Sequence, residues 1–185
     1  MVLLCATGTT IYGFVLLVQI SQATLTLEFD EDFRDCENGL PMPGFDASEL
    51  QVIPQDDGSV TMNGTLKFTK DYGSPTRMKM YSKRLQQGEW KPGMVSREIS
   101  NLCPVMQMPT ELWYPFTRIL QQKTCPYQAG HEEHINNVTV ENIAAKFHVP
   151  PDFLGEWRMY HEFTTTRQGS SAKECLMVPV TVSEV

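Results

Sequence analysis

The closest approach to a metal-binding pattern in the chain is His131-Glu-Glu-His134, with its two imidazoles three residues apart. A tetrahedral zinc site needs four ligands, and nothing nearby in the sequence completes the set. The stretch therefore reads as a solvated loop, and no metal is assigned. His161 falls on the apolar side of an alternating run. It reads as a core histidine that needs a hydrogen-bond partner, not as a catalytic base. The chain has no G-x-S-x-G elbow, Walker loop, H-E-x-x-H or dinucleotide fingerprint. With no nucleophile set beside a base, the chain is read as non-catalytic and without a cofactor.

The remaining chemistry belongs to a secretory compartment. Met1 to about Ala23 contains no Asp, Glu, Lys or Arg, and Ile11–Val18 is a short apolar run. Ser21-Gln-Ala23 then places small residues where signal peptidase reads. A signal peptide over 1–23 is expected, although it lacks a basic first region. An uncleaved anchor is the alternative, but the apolar run is shorter than the roughly 20 residues that span a bilayer. Cys5 lies inside this segment; Cys36, Cys103, Cys125 and Cys175 follow it. An even number suits disulfides, and no C-x-x-C pair suggests metal. Four cysteines allow three pairings and spacing selects none of them. The pairing adopted as the expectation is Cys36–Cys175, tying the ends of the fold, and Cys103–Cys125, closing a shorter loop. Asn63-Gly-Thr65 and Asn137-Val-Thr139 are N-glycosylation acceptors.

Composition narrows the partners. The 185 residues are 41% apolar and 20% charged, with a formal net charge of −7. A globular chain follows from the first two values. The acidic balance argues against nucleic acid and gives no polybasic patch for an anionic membrane. One domain, 24–185, is expected after the signal.

The elements that must position these groups are mostly strands. Leu25, Leu27 and Phe29 alternate with polar neighbours. Val60, Met62, Leu66 and Phe68 share one face of a second strand, with Thr61, Asn63, Thr65 and Lys67 opposite. Met78 and Met80 alternate with Arg77, Lys79 and Tyr81. Gln86–Gly93 reads as a loop whose Trp90 caps the open end of a core. From Thr110 to about Lys123 the period changes, and Leu112, Phe116, Ile119 and Leu120 predict a helix with Thr110 as N-cap. Val138 and Val140, with Ile143, read as strand-like, and Phe147 as the end of a strand before the Pro150-Pro151 turn. Trp157, Met159, His161 and Phe163 share a face, with Arg158, Tyr160 and Glu162 opposite. A hairpin at 168–172 then leads into Leu176, Val178, Val180 and Val182. The fold class is all-β, an antiparallel sandwich with one short helix.

The inward apolar positions are also rich in Met, a flexible side chain that adapts to varied shapes. Met62, Leu66, Phe68, Met78, Met80, Trp113, Phe116, Leu120, Val138, Val140, Phe147, Trp157, Met159 and Phe163 are the candidate ligand-lining residues. The candidate ligand is a lipid or another small hydrophobic molecule. Periodicity does not separate a hollow sandwich from a filled one.

Cys125-Pro-Tyr127, Asn137-Val-Thr-Val-Glu-Asn-Ile143, Pro150-Pro-Asp-Phe-Leu-Gly-Glu-Trp-Arg158 and Lys173-Glu-Cys-Leu176 together resemble insect chemosensory proteins of the CheB type. These are similar to the ganglioside-activator branch of the ML lipid-recognition superfamily. The match is best from about Cys103 to Val182 and looser from Leu25 to Arg97. The resemblance implies a secreted immunoglobulin-like β-sandwich whose sheets splay apart around a lipid, without catalysis, and a role in taste or pheromone detection. It is also compatible with pairing the first and last cysteines of the domain. The chain has fewer cysteines than the ganglioside activator, so its cavity loops are expected to be less constrained. Two alternatives stand beside this reading. One is an accessory subunit of a membrane receptor or channel, working through surface loops; the other is a lipid-presenting cofactor of a glycolipid hydrolase.

Overall fold

The computed structural model describes residues 24–29, 33–167 and 169–184. The expected signal peptide, 1–23, lies outside them. Among the described residues the strands are β1 (Leu25–Phe29), β2 (Arg34–Asp35), β3 (Phe45–Pro54), β4 (Val60–Phe68), β5 (Thr76–Gln86), β6 (Glu89–Ile99), β7 (Glu132–Val140), β8 (Gly155–Arg167) and β9 (Ser170–Glu184). They form two antiparallel sheets. The larger runs β1-β9-β8-β5-β6, with β2 also paired to β9; the smaller runs β3-β4-β7. The chain is all-β with little helix.

Register gives the faces. Trp157, Met159 and His161 of β8 stand opposite Val180, Val178 and Leu176 of β9, and Met80 of β5 stands opposite His161. Because side chains alternate across a strand, these residues share one face. Leu27 and Phe29 of β1 join the sheets. They pack against Trp157, Val180 and Val182 on one side and against Val60, Met62, Ile135 and Val140 on the other. Each such side chain, fully buried, contributes about 1.5–3 kcal/mol of transfer free energy.

Both expected disulfides are present, Cys36–Cys175 and Cys103–Cys125, with Cα separations of 5.8 and 5.7 Å. The first draws residues 36–41 across the outer face of the larger sheet, where the Cys175 N–H donates to the Pro41 carbonyl. Beneath it lies Tyr160, 1% exposed and stacked on Tyr81 at 4.8 Å. Alternation placed Tyr160 correctly on the side opposite Trp157. The cover supplied by the disulfide segment turns that side locally into core.

Four readings need correction. The helix expected over 110–123 is one turn, α1 (Tyr114–Thr117), and its N-cap position is Trp113 without a side-chain cap. The segment is a run of tight turns. Glu111 N–H donates to the Met108 carbonyl, Tyr114 to Glu111 and Leu120 to Thr117. Successive three-residue turns repeat apolar positions almost as a helix does, and Pro115 cannot donate the bond a longer helix would need there.

Ile143 and Phe147 belong not to a strand but to a second short helix, α2 (Ile143–Lys146), and its C-cap. Asn142 caps it, accepting from the Ala145 N–H at 3.1 Å. His131–His134 is not a solvated loop. β7 begins at Glu132, and Glu133 points inward with no exposure. Trp90 is not in a loop. Gln87 and Gly88, both at positive φ, turn the chain between β5 and β6, and Trp90 lies in β6 with the Arg158 guanidinium 4.0 Å above its ring.

Candidate functional site

One concavity is a cleft of about 910 Å³. Leu27 and Phe29 of β1, Val52 of β3, Val60 of β4, Trp157 of β8 and Val180 of β9 give it apolar walls. Glu28, Arg34, Asp56, Trp90, Glu156 and Arg158 also line it, so its surface is mixed. The size lies within the range of small-molecule sites. Trp157 is held rigidly there. Its indole N–H donates to the Phe153 carbonyl at 2.6 Å, Phe153 stacks on it at 5.0 Å, and the Arg84 guanidinium lies 5.3 Å from its ring. Arg158 is fixed by Glu37, which also accepts from Lys83 Nζ at 2.8 Å. The Lys83 hydrogen bond, helped by Tyr160 and Arg158, holds the Glu37 carboxyl below the usual carboxylate range.

A smaller cavity, about 380 Å³, lies where the 110–113 segment crosses β5 and β6. Met80, Val95, Leu112 and Trp113 supply its apolar surface, and Arg97 pairs with Glu111 across it at 2.7 Å. The Trp113 indole N–H is buried without a partner.

The expected lining residues divide among these places. Trp157 lines the larger cleft, and Met80 and Trp113 the smaller cavity. Met62, Phe116, Val138, Val140 and Phe147 pack in the cluster around Ile135 and Ile143. Leu66, Phe68 and Leu120 pack with Met106 and Tyr127. Met78 is buried on β5 opposite Phe163 of β8, and Met159 packs against the Trp157 cluster. Of the walls that the candidate set omitted, Leu27 and Phe29 were visible in their own alternation; Val52 sits in a strand whose pattern is too polar to have flagged it.

One feature of β8 runs against its position. The strand is paired on both sides, yet Met159, His161 and Phe163, on the face toward the smaller sheet, are only partly buried, while Tyr160 between them is covered. The inner face of β8 therefore keeps some exposed side-chain surface. His161 Nδ1 is nonetheless buried and unpartnered. Burial pushes its pKa down to about 4, against a smaller opposing effect from the Met159 backbone, so the ring is neutral at pH 7.

The other buried polar groups are structural. The Glu133 carboxylate accepts from the Gln121 and Gln122 backbone N–H groups and lies 2.8 Å from His131 Nε2, tying the turn-rich segment to β7. Glu174 accepts from Lys70 and from the Tyr72 hydroxyl at 2.6 Å. Burial, reinforced by Glu174, pushes the Tyr72 hydroxyl up, so it stays a donor. Among the described residues no group of three or more His, Cys, Asp or Glu side chains could hold a metal ion. Nor is any helix among them long and apolar enough to cross a membrane.

The two glycosylation acceptors converge. The Asn137 N–H donates to Asn63 Oδ1 at 3.3 Å, where β7 bulges opposite β4 and Asn137 adopts a φ of 49°. The fold and site define an all-β, disulfide-linked protein whose concavities have mixed apolar and charged walls. No protein-family model and no curated protein matches the chain.

Proposed function

We propose that the protein is a secreted, non-catalytic carrier of a lipid or another small hydrophobic molecule, an immunoglobulin-like sandwich that holds its ligand between splayed sheets. The observation that carries this reading is the partly open inner face of β8, at Met159, His161 and Phe163, in a strand paired on both sides. A filled core would cover those side chains as Tyr160 is covered. The cleft walled by Leu27, Phe29 and Trp157 supports the same reading. Apolar walls contribute about 0.8 kcal/mol per buried CH₂, enough to retain a long-chain ligand. Two disulfides suit an oxidising compartment. The resemblance to CheB-type proteins supplies the biological setting, in which the ligand is a taste or pheromone cue presented to a membrane receptor or channel.

Native mass spectrometry of protein purified without detergent tests this. The expected spectrum contains a ligand-bound species whose added mass is extracted by organic solvent. Met159→Trp, which fills the inner face, is expected to abolish that species while leaving the protein folded. A spectrum of bare protein that also takes up no hydrophobic probe would refute the carrier.

A further inference from the structure

The smaller sheet turns a mostly polar outer face to solvent, and both N-glycosylation acceptors stand on it. In a strand the asparagine and threonine of an N-x-T triplet share one side, because they are two residues apart. Asn63 and Thr65 of β4, like Asn137 and Thr139 of β7, lie on the face opposite the buried Met62, Ile135 and Val140. Short polar contacts link the two strands. The Thr61 and Thr139 hydroxyls are 3.4 Å apart, Thr65 Oγ1 is 3.3 Å from His134 Nδ1, and the Asn137 N–H donates to Asn63 Oδ1. An N–H bonds only the oxygen of an amide, which fixes the Asn63 side chain. Its Nδ2, the atom a glycan joins, has no partner among the described residues. On β7, Asn136 and Asn137 together oppose Asn63 in a bulge. Bulges re-aim the side chains they carry, so two neighbouring glycans need not leave the sheet in parallel.

The sheet edge lies beside them. Among the described residues β3 pairs only with β4. A bare strand edge pairs with other chains unless charge, proline or a bulge blunts it. β3 has a bulge between Asp46 and Glu49 and ends on Pro54. Between them Leu50-Gln-Val-Ile53 carries neither charge nor proline, and Ile53 is 45% exposed. Asn63 stands opposite Gln51, inside that stretch, one strand spacing of about 4.8 Å away. A bulky, solubilising sugar there keeps a second chain from adding to the edge. We propose, resting on the secretion in the reading above, that Asn63 and Asn137 both carry N-linked glycans. The glycan at Asn63 shields the 50–53 edge against pairing with a second copy of the chain. The donor is an oligosaccharide linked to a polyprenyl diphosphate. Asparagine Nδ2 bonds to its anomeric carbon, the bond from that carbon to the diphosphate oxygen breaks, and the Nδ2 proton leaves with the diphosphate. The two asparagines are 74 residues apart, so each accepts its sugar before β4 and β7 pair.

The test uses the full chain secreted from eukaryotic cells and digested with peptide N-glycosidase, which leaves an aspartate wherever a glycan was attached. Peptide mass spectrometry is expected to find both Asn63 and Asn137 converted. Light scattering should give the mass of one glycosylated chain for the wild type and for Asn137→Gln. Asn63→Gln should shift towards twice the chain mass, and adding Ile53→Lys should return it to one. A general loss of solubility would affect the two glutamine variants alike. If Asn63→Gln is not secreted, enzymatic removal of the glycans from the folded wild type should produce the same doubling. An unmodified asparagine at either site overturns the paired glycans. A deglycosylated Asn63 that leaves the protein monomeric, or a doubling that Ile53→Lys does not reverse, overturns the shield. Neither readout involves a hydrophobic ligand, so these failures leave the carrier standing. A chain that is not exported overturns both.

Discussion

His161 couples the interior to pH. Its pKa is about 4 in the folded chain, against an ordinary value of 6.5. Between those values the unfolded chain holds a proton that the folded chain does not, so acid favours unfolding. The stabilisation is fully present above pH 6.5 and is lost as pH falls through about 4, at most about 3 kcal/mol for one group. Urea titrations of the wild type and His161→Phe at pH 7 and pH 4 measure it. The wild type is expected to lose that much more stability than the variant on acidification; parallel losses would mean the ring is not held neutral. Glu133 makes a related point at the same scale. Its carboxylate has no exposure because two backbone N–H groups and His131 replace its water.

At the scale of elements, short pieces hold the two sheets in place. α2 is only four residues long, below the length at which a helix persists on its own. Asn142 supports it from outside. Its Oδ1 caps the first turn, and its Nδ2 donates to the Leu25 carbonyl at 3.0 Å and the Asp57 carbonyl at 3.1 Å. One side chain thus links α2, β1 and the β3–β4 turn beside the cleft. Asn142→Ala removes the cap and leaves two carbonyls without this donor. The expected cost is about 2 kcal/mol, read as a lower urea midpoint at unchanged slope. Asn142→Asp retains the cap and should recover roughly half of that loss, because the cap and the two donated bonds are separate contributions.

Across the whole molecule, the disulfides divide the chain unequally. Cys36 and Cys175 are 139 residues apart, Cys103 and Cys125 only 22. On loop entropy the long link contributes about 5 kcal/mol and the short one about 3. Replacing Cys36 and Cys175 by Ser should therefore destabilise more than replacing Cys103 and Cys125. It should also expose Tyr160, since the linked segment is its cover. Denaturant unfolding ranks the two double variants, and near-ultraviolet circular dichroism reports the tyrosine. The reverse ranking would place the main stabilising role on the turn-rich segment and its contacts with Glu133 instead.

Alternation of residue type marked β1, β4, β5, β8 and β9, because successive side chains of a strand point to opposite faces. β8 and β9 are nonetheless buried on both faces in places, at Trp157 and Tyr160 and from Glu174 to Met177. In β5 the pattern was complete: Thr76, Met78, Met80 and Ser82 are buried, and Arg77 and Lys79 exposed. The even cysteine count pointed to two disulfides, and the structure selected the pairing. β3 and β6 were not legible. Both are edge strands with polar residues on both faces, and β6 carries Pro92 and Gly93. Gly93 is there because Ser82 and the Trp157 ring approach too closely for any Cβ, a fact stored in other strands.

Only the tertiary structure decided that Glu133 and Tyr160 are core, that Trp90 faces a cleft, and that the expected helix is a chain of turns. Each of those outcomes depends on a partner far away in the chain: backbone donors for Glu133, a disulfide-held cover for Tyr160, Arg158 for Trp90. A periodic pattern records which way a side chain points. It does not record what meets it there, and the same limit applies to whether the space facing β8 is filled.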